Sequence, residues 1–256
     1  MGRRLTAWAL DLDGVIWRGS QTVPGAPEAV ARLRRAGEKI AFVTNSAYRT
    51  PAQVAENLAL HGIPDAEAEV VTSAMAAATL VSPGERVLVV GSDGLFAAVE
   101  QRGAQLVDDG PVDAVIIGIS FEFDYGALTK AMGAIREGAR FIATNTDPTY
   151  PVAEGLLPGN GALVAAVATA SGASPEVAGK PHAAVAALVR SKLGSEGMMV
   201  GDRPDTDGLF ARAVGYRFGL VLSGVTTRDQ LPVSPTPDDV ADDLLELVDR
   251  HLADGA

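Results

Sequence analysis

Two aspartates separated by one residue follow the first apolar stretch of the chain, in the segment Asp11-Leu12-Asp13-Gly14. Residues i and i+2 of a strand or of its exit turn lie on the same side, so the two carboxylates could act on one ligand. One carboxylate could attack as a nucleophile while the other transfers protons. A simple turn at a strand end, where Asp and Gly are common, is the alternative interpretation.

Two further segments carry groups that suit an anionic ligand. Thr44 and Asn45 follow a second apolar stretch. Their hydroxyl and N–H groups could bind a phosphate oxygen, although the same residues favour a helix N-cap. Lys180 lies between Gly179 and Pro181. A fixed ammonium there could offset the charge of a transferring phosphoryl group, and a surface lysine before a helix is the alternative.

An acidic segment, Gly201-Asp202-Arg203-Pro204-Asp205-Thr206-Asp207, follows the apolar run Met198 to Val200. Three carboxylates within six residues repel one another unless a cation lies between them. Mg²⁺ takes oxygen ligands and retains several waters, so one or two carboxylates suffice to hold it. A helix N-terminus with favourable dipole charges is the alternative, but the crowding favours a metal site.

The elements that would position these residues alternate between apolar strands and helices, which predicts an α/β fold with a parallel sheet. Ligands of such sheets gather at the carboxyl ends of the strands, so the four segments could converge. Strands are predicted at 7–12, 39–43, 86–90, 114–119, 140–143, 197–200 and 216–222. Helices are predicted at 24–36, 51–61, 94–102, 125–137, 162–170, 206–214 and 238–251, and another begins after Pro181 and ends at Leu193. Residues 144–160 are predicted to be rich in turns.

Composition narrows the possible functions. The 256 residues allow one large domain or two smaller ones, and the absence of cysteine excludes disulfides, thiol nucleophiles and zinc–thiolate sites. The net charge of −11 disfavours binding to nucleic acid and to anionic membranes. We therefore expect neither partner, and a cytoplasmic location, because the sequence has no stretch that suits a membrane span or a signal peptide.

Four short motifs occur in a fixed order: Asp-x-Asp-Gly-Val, Thr-Asn-Ser, Gly-Lys-Pro and Gly-Asp-x-x-x-Thr-Asp. Together they resemble the motifs of the haloacid dehalogenase superfamily, in its NagD-like or 4-nitrophenylphosphatase-like branch with a type IIA cap. The resemblance covers essentially the whole chain. It implies a doubly wound, Rossmann-like core of residues 1–72 and 179–256 with an inserted α/β cap, residues 73–178. Caps of this family often dimerise, so a homodimer through the cap is a further expectation.

The resemblance implies a role for each aspartate of the motifs. Asp11 would attack phosphorus and form an aspartyl-phosphate, while Asp13 would protonate the leaving oxygen and then activate water. Mg²⁺ would be held by the Asp11 side chain, the Asp13 backbone carbonyl and Asp202. Asp207 would be a further ligand through water or a support for the others.

The remaining motif residues would bind the phosphoryl group. The resemblance implies that Thr44 and the amide of Asn45 contact its oxygens. Lys180 would neutralise the charge that Asp11 shares with the phosphate.

Polar residues of the cap are candidates for substrate selection. We expect Asn145, Asp147 and Glu154 to help choose the leaving group, although Asn145 and Asp147 could instead shape a turn before Pro148. The segment 155–161, Gly-Leu-Leu-Pro-Gly-Asn-Gly, is similar to that of actinobacterial-type members acting on small phosphates such as glycerol phosphate.

The sequence thus predicts a Mg²⁺-dependent phosphatase for a small-molecule phosphate ester, such as glycerol phosphate, phosphoglycolate or a sugar phosphate. A phosphotransferase that passes the phosphoryl group from Asp11 to an alcohol is the nearest alternative. A phospho-accepting signalling or binding module is another, but receiver domains lack a cap of this size.

Overall fold

The computed structural model of the chain describes residues 6–152 and 155–253, and of residues 151 and 152 it describes only the backbone. The described residues form two compact units. The first comprises the chain up to Thr44, Val54–Val71 and the chain from Ala186 onward. The second comprises Asn45–Gln53 and Thr72–Val185. Compared with the predicted cap, the second unit also includes 45–53, Thr72 and 179–185.

A sheet of six strands is the centre of the first unit. The six strands are β1 (Ala7–Leu10), β4 (Lys39–Thr44), β5 (Val70–Thr72), β13 (Met198–Gly201), β14 (Arg217–Val221) and β15 (Asp239–Ala241). Their order across the sheet is β15-β14-β13-β1-β4-β5. From β1 the chain proceeds outward to β4 and β5 on one side, and later to β13, β14 and β15 on the other, as a doubly wound sheet requires. The central strands β1 and β13 are buried along their whole length, which suits parallel strands covered on both faces.

Amphipathic helices and a short hairpin accompany this sheet. In α1 the buried residues Ala26, Ala29, Val30 and Leu33 recur at intervals of three and four, so one face of the helix packs on the core. The hairpin pairs β2 (Trp17–Arg18) with β3 (Gln21–Thr22). The helices that begin or end in the first unit are α1 (Ala26–Arg35), α2 (Pro51–Leu60), α7 (Ala183–Leu193), α8 (Leu209–Val214) and α9 (Leu244–Ala253).

The second unit is built on a five-stranded sheet in the order β12 (Glu176–Val177), β9 (Arg140–Ala143), β8 (Ala114–Ile117), β6 (Arg86–Val90) and β7 (Gln105–Leu106). It has its own buried core, which includes Val115, Ile117 and Phe141. A hairpin, β10 (Thr149–Val152) with β11 (Gly155–Pro158), lies within the stretch 144–160, which was predicted to be rich in turns. The other elements are α3 (Ser73–Ala78), α4 (Asp93–Gln101), α5 (Tyr125–Arg136) and α6 (Asn160–Ser171).

The predicted final helix, 238–251, is wrong at its start, because β15 occupies Asp239–Ala241 and α9 begins only at Leu244. Asp238 joins this edge strand to β14. Its N–H donates to the Phe218 carbonyl at 2.8 Å, and its Oδ2 accepts from the Phe218 N–H and from Arg212 Nη1, each at 2.8 Å. Burial tends to raise the pKa of Asp238, but these donors outweigh it and the pKa is lowered.

No helix in the described ranges is long and apolar enough to cross a bilayer.

Candidate active site

The carboxyl ends of three neighbouring strands bring together the predicted residues of the first unit. In the sheet, Leu10 of β1 pairs with Phe42 of β4 on one side and with Val200 of β13 on the other. Asp11, Thr44 and Asp202 lie one or two residues beyond these paired positions, and the Asp11 N–H donates to the Val200 carbonyl at 2.9 Å. This sheet edge is where ligands of doubly wound folds bind.

Three carboxylates at this edge form one cluster. Asp11, Asp202 and Asp207 each offer an oxygen, and the three oxygens lie within 4.8 Å of one another. The side chains are almost wholly enclosed, with exposed fractions of 9%, 2% and 0%. Asp205, which lies between two of them in sequence, is instead exposed and pairs with Arg203 Nη2 at 3.3 Å.

Glycines leave the space that the Asp202 carboxylate occupies. Gly14 has a φ of +82°, and a Cβ on it would overlap the carboxylate and lie 2.9 Å from the Cα of Gly224. A Cβ on Gly224 would overlap the same carboxylate. Asp202 Oδ2 accepts from the Val225 N–H at 2.6 Å, and the Ser223 hydroxyl donates to the Gly14 carbonyl at 2.7 Å. Any side chain at position 14 would therefore displace Asp202.

A π-type helical turn directs Asp207 into the cluster. The helix predicted from residue 206 begins at Leu209, and the preceding Pro204–Gly208 forms a wider turn of π type. Within it Asp207 Oδ2 accepts from the Arg203 N–H at 3.2 Å. Irregular helical turns of this kind often lie at functional sites.

The cluster fits a divalent cation of the Mg²⁺ type. All three side chains present carboxylate oxygens, which are the ligands that hard cations prefer. Oxygens within 4.8 Å of one another can share an ion that each contacts at about 2.0–2.5 Å. Buried carboxylates so close together also need a positive charge to offset their repulsion.

Asp13 differs from this cluster in its surroundings. Its side chain is exposed, and its Oδ1 accepts a hydrogen bond from Trp17 Nε1 at 3.0 Å. A solvent-facing carboxylate that lies two residues from a buried one is placed to exchange protons with a ligand at the strand end.

The predicted residues of the second unit are joined through Asn45. Its Oδ1 accepts from the Lys180 N–H at 2.7 Å, and its Nδ2 donates to the Lys180 carbonyl at 3.2 Å and to Asp147 Oδ2 at 3.2 Å. Lys180 is 5% exposed, so the alternative of a surface lysine is wrong. The Asn45 side chain therefore fixes the backbone of Lys180 and the carboxylate of Asp147.

Asn145 supports the same group of residues. It is 5% exposed, its Nδ2 donates to the Asn45 carbonyl at 2.7 Å, and its Oδ1 accepts from the Asp147 N–H at 3.0 Å. Both polar ends of the side chain thus bind neighbouring residues. Glu154, the third candidate for specificity, lies outside the described residues.

Three residues of these sites were missed from the sequence. Asn160, 2% exposed, donates from Nδ2 to the carbonyls of Ile117 and Asn145 and to Thr144 Oγ1, at 3.2, 2.8 and 3.2 Å. The Ser73 hydroxyl donates to the Asn45 carbonyl at 2.5 Å. The third is Trp17. A polar residue next to glycine at the start of an apolar helix was the available signal for Asn160, whereas Ser73 and Trp17 had none.

Two family models match the chain. One, described as haloacid dehalogenase-like hydrolase, matches residues 8–105, and the other, a HAD-hydrolase-like family, matches residues 177–247.

Two curated relatives are phosphatases. A D-glycerol 3-phosphate phosphatase of Mycobacterium tuberculosis is 42% identical over 227 residues, which are 85% of this chain and 63% of the relative. This chain thus spans less than two thirds of that relative's length. An acid sugar phosphatase of Staphylococcus aureus is 36% identical over 241 residues, which are 92% of this chain and 93% of the relative.

Solved structures agree in fold. A glycerol phosphate phosphatase of Mycobacterium tuberculosis in complex with magnesium has a TM-score of 0.89 and 38% identity, covering 95% of this chain and 76% of the other. A p-nitrophenyl phosphatase from Archaeoglobus fulgidus has a TM-score of 0.91 and 30% identity, covering 97% and 100%. The α/β fold class predicted from the sequence is confirmed. By these matches the chain belongs to the haloacid dehalogenase-like hydrolase family.

Proposed function

We propose that this hydrolase is a Mg²⁺-dependent phosphatase that acts on small phosphate monoesters through a phosphorylated Asp11. The observation that carries the proposal is the buried cluster of Asp11, Asp202 and Asp207, with the exposed Asp13 two residues from Asp11. The cluster supplies ligands for a cation. Asp11 supplies the nucleophile, and Asp13 supplies the acid/base. The named phosphatases among the relatives support the same reaction class.

Mg²⁺ would be held by side-chain oxygens of Asp11 and Asp202, with the Asp13 backbone carbonyl as a third ligand and Asp207 as a further ligand or support. Bound there, the ion would offset the negative charge of the phosphoryl group. The magnesium complex of the mycobacterial relative supports this choice of metal.

The chain's own residues perform two half-reactions. An Asp11 oxygen attacks phosphorus, the bond between phosphorus and the ester oxygen breaks, and the leaving oxygen takes a proton from Asp13. Asp13 then removes a proton from water, which attacks the phosphorus of the aspartyl-phosphate. The phosphorus–Asp11 bond breaks, so inorganic phosphate leaves and Asp11 is regenerated.

Thr44, Asn45 and Lys180 would bind the phosphoryl group before and during the reaction. We propose that the Thr44 hydroxyl and the Asn45 N–H donate to its oxygens, and that the Lys180 ammonium offsets its charge. Thr44 and Lys180 are only 6% and 5% exposed, which supports a role in binding a ligand and not in contacting solvent.

Substrate choice would rest on polar residues of the second unit. Asp147 is the residue we favour, because a carboxylate can accept hydrogen bonds from the hydroxyls of a polyol or sugar phosphate. Asn145 would act through the position of Asp147, and Glu154 stays a prediction. The glycerol phosphate and acid sugar phosphatases among the relatives support substrates of this class.

A screen of phosphate release tests the proposal. We expect Mg²⁺-dependent release from glycerol phosphate, sugar phosphates, phosphoglycolate and p-nitrophenyl phosphate, without any added acceptor alcohol. Asp11→Asn should abolish release while the variant keeps the far-UV spectrum of the wild type. Asp205→Asn, an exposed carboxylate outside the cluster, is the matched control and should stay active. Release only with an acceptor alcohol would indicate a phosphotransferase, and normal turnover by Asp11→Asn would refute the assignment.

The domain boundaries predicted at residues 72/73 and 178/179, and a homodimer through residues 73–178, stay predictions.

A further inference from the structure

We propose that Trp17 is a positioning residue for Asp13, whose carboxyl group it holds ready to protonate the leaving group. This inference rests on the proposed function, because it assumes that Asp13 is the general acid. Trp17 is not part of the four motifs, and its role follows from the structure of the loop after β1.

The loop holds the indole N–H against the carboxylate. Trp17 Nε1 donates to Asp13 Oδ1 at 3.0 Å. The backbone between them is closed by hydrogen bonds from the Gly14 N–H to the Trp17 carbonyl at 2.7 Å and from the Trp17 N–H to the Leu12 carbonyl at 3.2 Å. An exposed aspartate would otherwise sample several rotamers, so the hydrogen bond restricts Asp13 to fewer orientations. Fixed orientation of a reacting group contributes directly to rate.

The indole ring is itself fixed on its other side. It stacks on the imidazole of His61, with ring centroids 5.0 Å apart and an interplanar angle of 29°. His61 Nδ1 is 2.7 Å from the hydroxyl of Thr22, which is the cross-strand partner of Trp17 in the β2–β3 hairpin. Burial lowers the pKa of His61, so the stacked ring is neutral near pH 7. Thr22, His61, Trp17 and Asp13 therefore form one continuous row of contacts.

A buried tryptophan often forms a hydrogen bond that has no functional role, so the bond from Trp17 could be a consequence of burial alone. The second tryptophan of the chain allows a comparison. Its other tryptophan, Trp8, is 1% exposed in β1, and its Nε1 has no hydrogen-bond partner among the residues that the structure describes. This fold thus tolerates an unpaired indole N–H in its core. The bond from Trp17 to Asp13 is not explained by burial alone.

The leaving group provides a readout that a purely structural role would not change. p-Nitrophenolate departs readily without a proton, whereas the alkoxide of glycerol phosphate needs one from Asp13. Trp17→Phe keeps an aromatic ring against His61 but removes the N–H. We expect it to lower kcat on glycerol phosphate about tenfold more than kcat on p-nitrophenyl phosphate. This is the size expected for loss of one hydrogen bond to the negative charge that develops on Asp13 as its proton leaves. KM should change little for either substrate.

Two variants complete the design. Trp8→Phe is the matched control and should leave the ratio of the two kcat values unchanged. His61→Leu keeps the indole N–H but removes the stacked ring, and should shift the ratio in the same direction by about threefold. It tests the inference even if Trp17→Phe does not fold.

The outcomes separate the inference from the proposed function. Equal losses on both substrates in Trp17→Phe, while Asp13→Asn loses far more on glycerol phosphate, would overturn the role of Trp17 alone. An Asp13→Asn variant with equal losses would overturn both the acid role and this inference. Absence of phosphate release by the wild type would overturn the proposed function itself.

Discussion

Replacing Asp207 by Asn should stabilise the metal-free protein and weaken its response to Mg²⁺. Asp207 is fully buried, and its oxygen lies within 4.8 Å of oxygens of Asp11 and Asp202. Asn is close to Asp in size, and its Oδ1 can still accept from the Arg203 N–H. The substitution therefore removes one charge of the cluster and leaves its packing in place.

The expected magnitude follows from the spacing of the charges. Two unit charges 4.8 Å apart repel by about 3.5 kcal/mol at an effective dielectric constant of about 20. The new amide N–H₂ loses hydration, which costs about 1–3 kcal/mol. We expect a net gain of about 2 kcal/mol without metal, or a rise in Tm of about 4–8 °C. At a Mg²⁺ concentration of about 100 Kd the wild type gains about 2.7 kcal/mol, and the variant should gain less than half of this.

Thermal unfolding with EDTA and over a series of Mg²⁺ concentrations measures both effects without any substrate. Asp205→Asn is the matched control, because this aspartate lies two residues away, is exposed, and is not part of the cluster. It should change neither the Tm in EDTA nor the Mg²⁺-dependent shift. A shift in Asp207→Asn equal to that of the wild type would show that Asp207 does not contribute to the metal site. A lower Tm in EDTA would refute the assumed repulsion.

Three further perturbations have defined outcomes. Gly14→Ala adds a Cβ at a φ of +82° that overlaps the Asp202 carboxylate, and should weaken Mg²⁺ binding at least about tenfold in a calorimetric titration. The control Gly19→Ala has a φ of +58° and open space around its Cβ, and should bind Mg²⁺ as the wild type does. Equal Mg²⁺ affinities of Gly14→Ala and the wild type would contradict the account. Asn45→Asp places two carboxylates together and should lower kcat at least about tenfold on p-nitrophenyl phosphate, which offers no hydroxyl for Asp147 to select. Adding Asp147→Asn should restore most of this kcat, and no restoration would contradict the account of the contact between residues 45 and 147. The pKa of Asp238 is lowered in the folded protein, so its charge stabilises the fold above the unfolded value near 3.8 and ceases to do so as the pH falls through the folded value. Asp238→Asn should therefore lower the free energy of unfolding by about 1 kcal/mol at pH 7 and by almost nothing in strong acid. Thermal unfolding at the two pH values measures this difference, and an equal loss of stability at both would refute the prediction.

The sheet and its functional edge could be predicted because parallel strands leave a strong local signal. Continuous burial makes them short apolar runs, and the polar residue that ends such a run marks the carboxyl end of a strand. Asp11, Thr44 and Asp202 were found in this way, and the structure places them at the carboxyl ends of three adjacent strands.

Weakly patterned elements could not be predicted in the same way. Strand β15 is three residues long and lies between Asp238 and Asp242, so its residues were assigned to the following helix. Strand β11 of the hairpin is exposed along its whole length, and therefore lacks the alternating pattern of a half-buried strand.

Contacts between distant residues had no signal in a single sequence. Asn45 and Lys180 are separated by 135 positions and meet only through the tertiary fold. The choice of Asp207 over Asp205 came from the family resemblance and had no signal in the residues alone. Both lie in one acidic run, and only the turn Pro204–Gly208 decides which of them faces the cluster.

Trapping of the phosphorylated enzyme tests the central claim most directly. The enzyme is mixed with substrate and Mg²⁺ in a rapid-quench device, reduced with borohydride, digested and sequenced by mass spectrometry. Borohydride converts an aspartyl-phosphate to homoserine, so the account predicts homoserine at position 11 in the wild type and none in Asp11→Asn. Homoserine at position 13, or none at either position while phosphate is released, would contradict it.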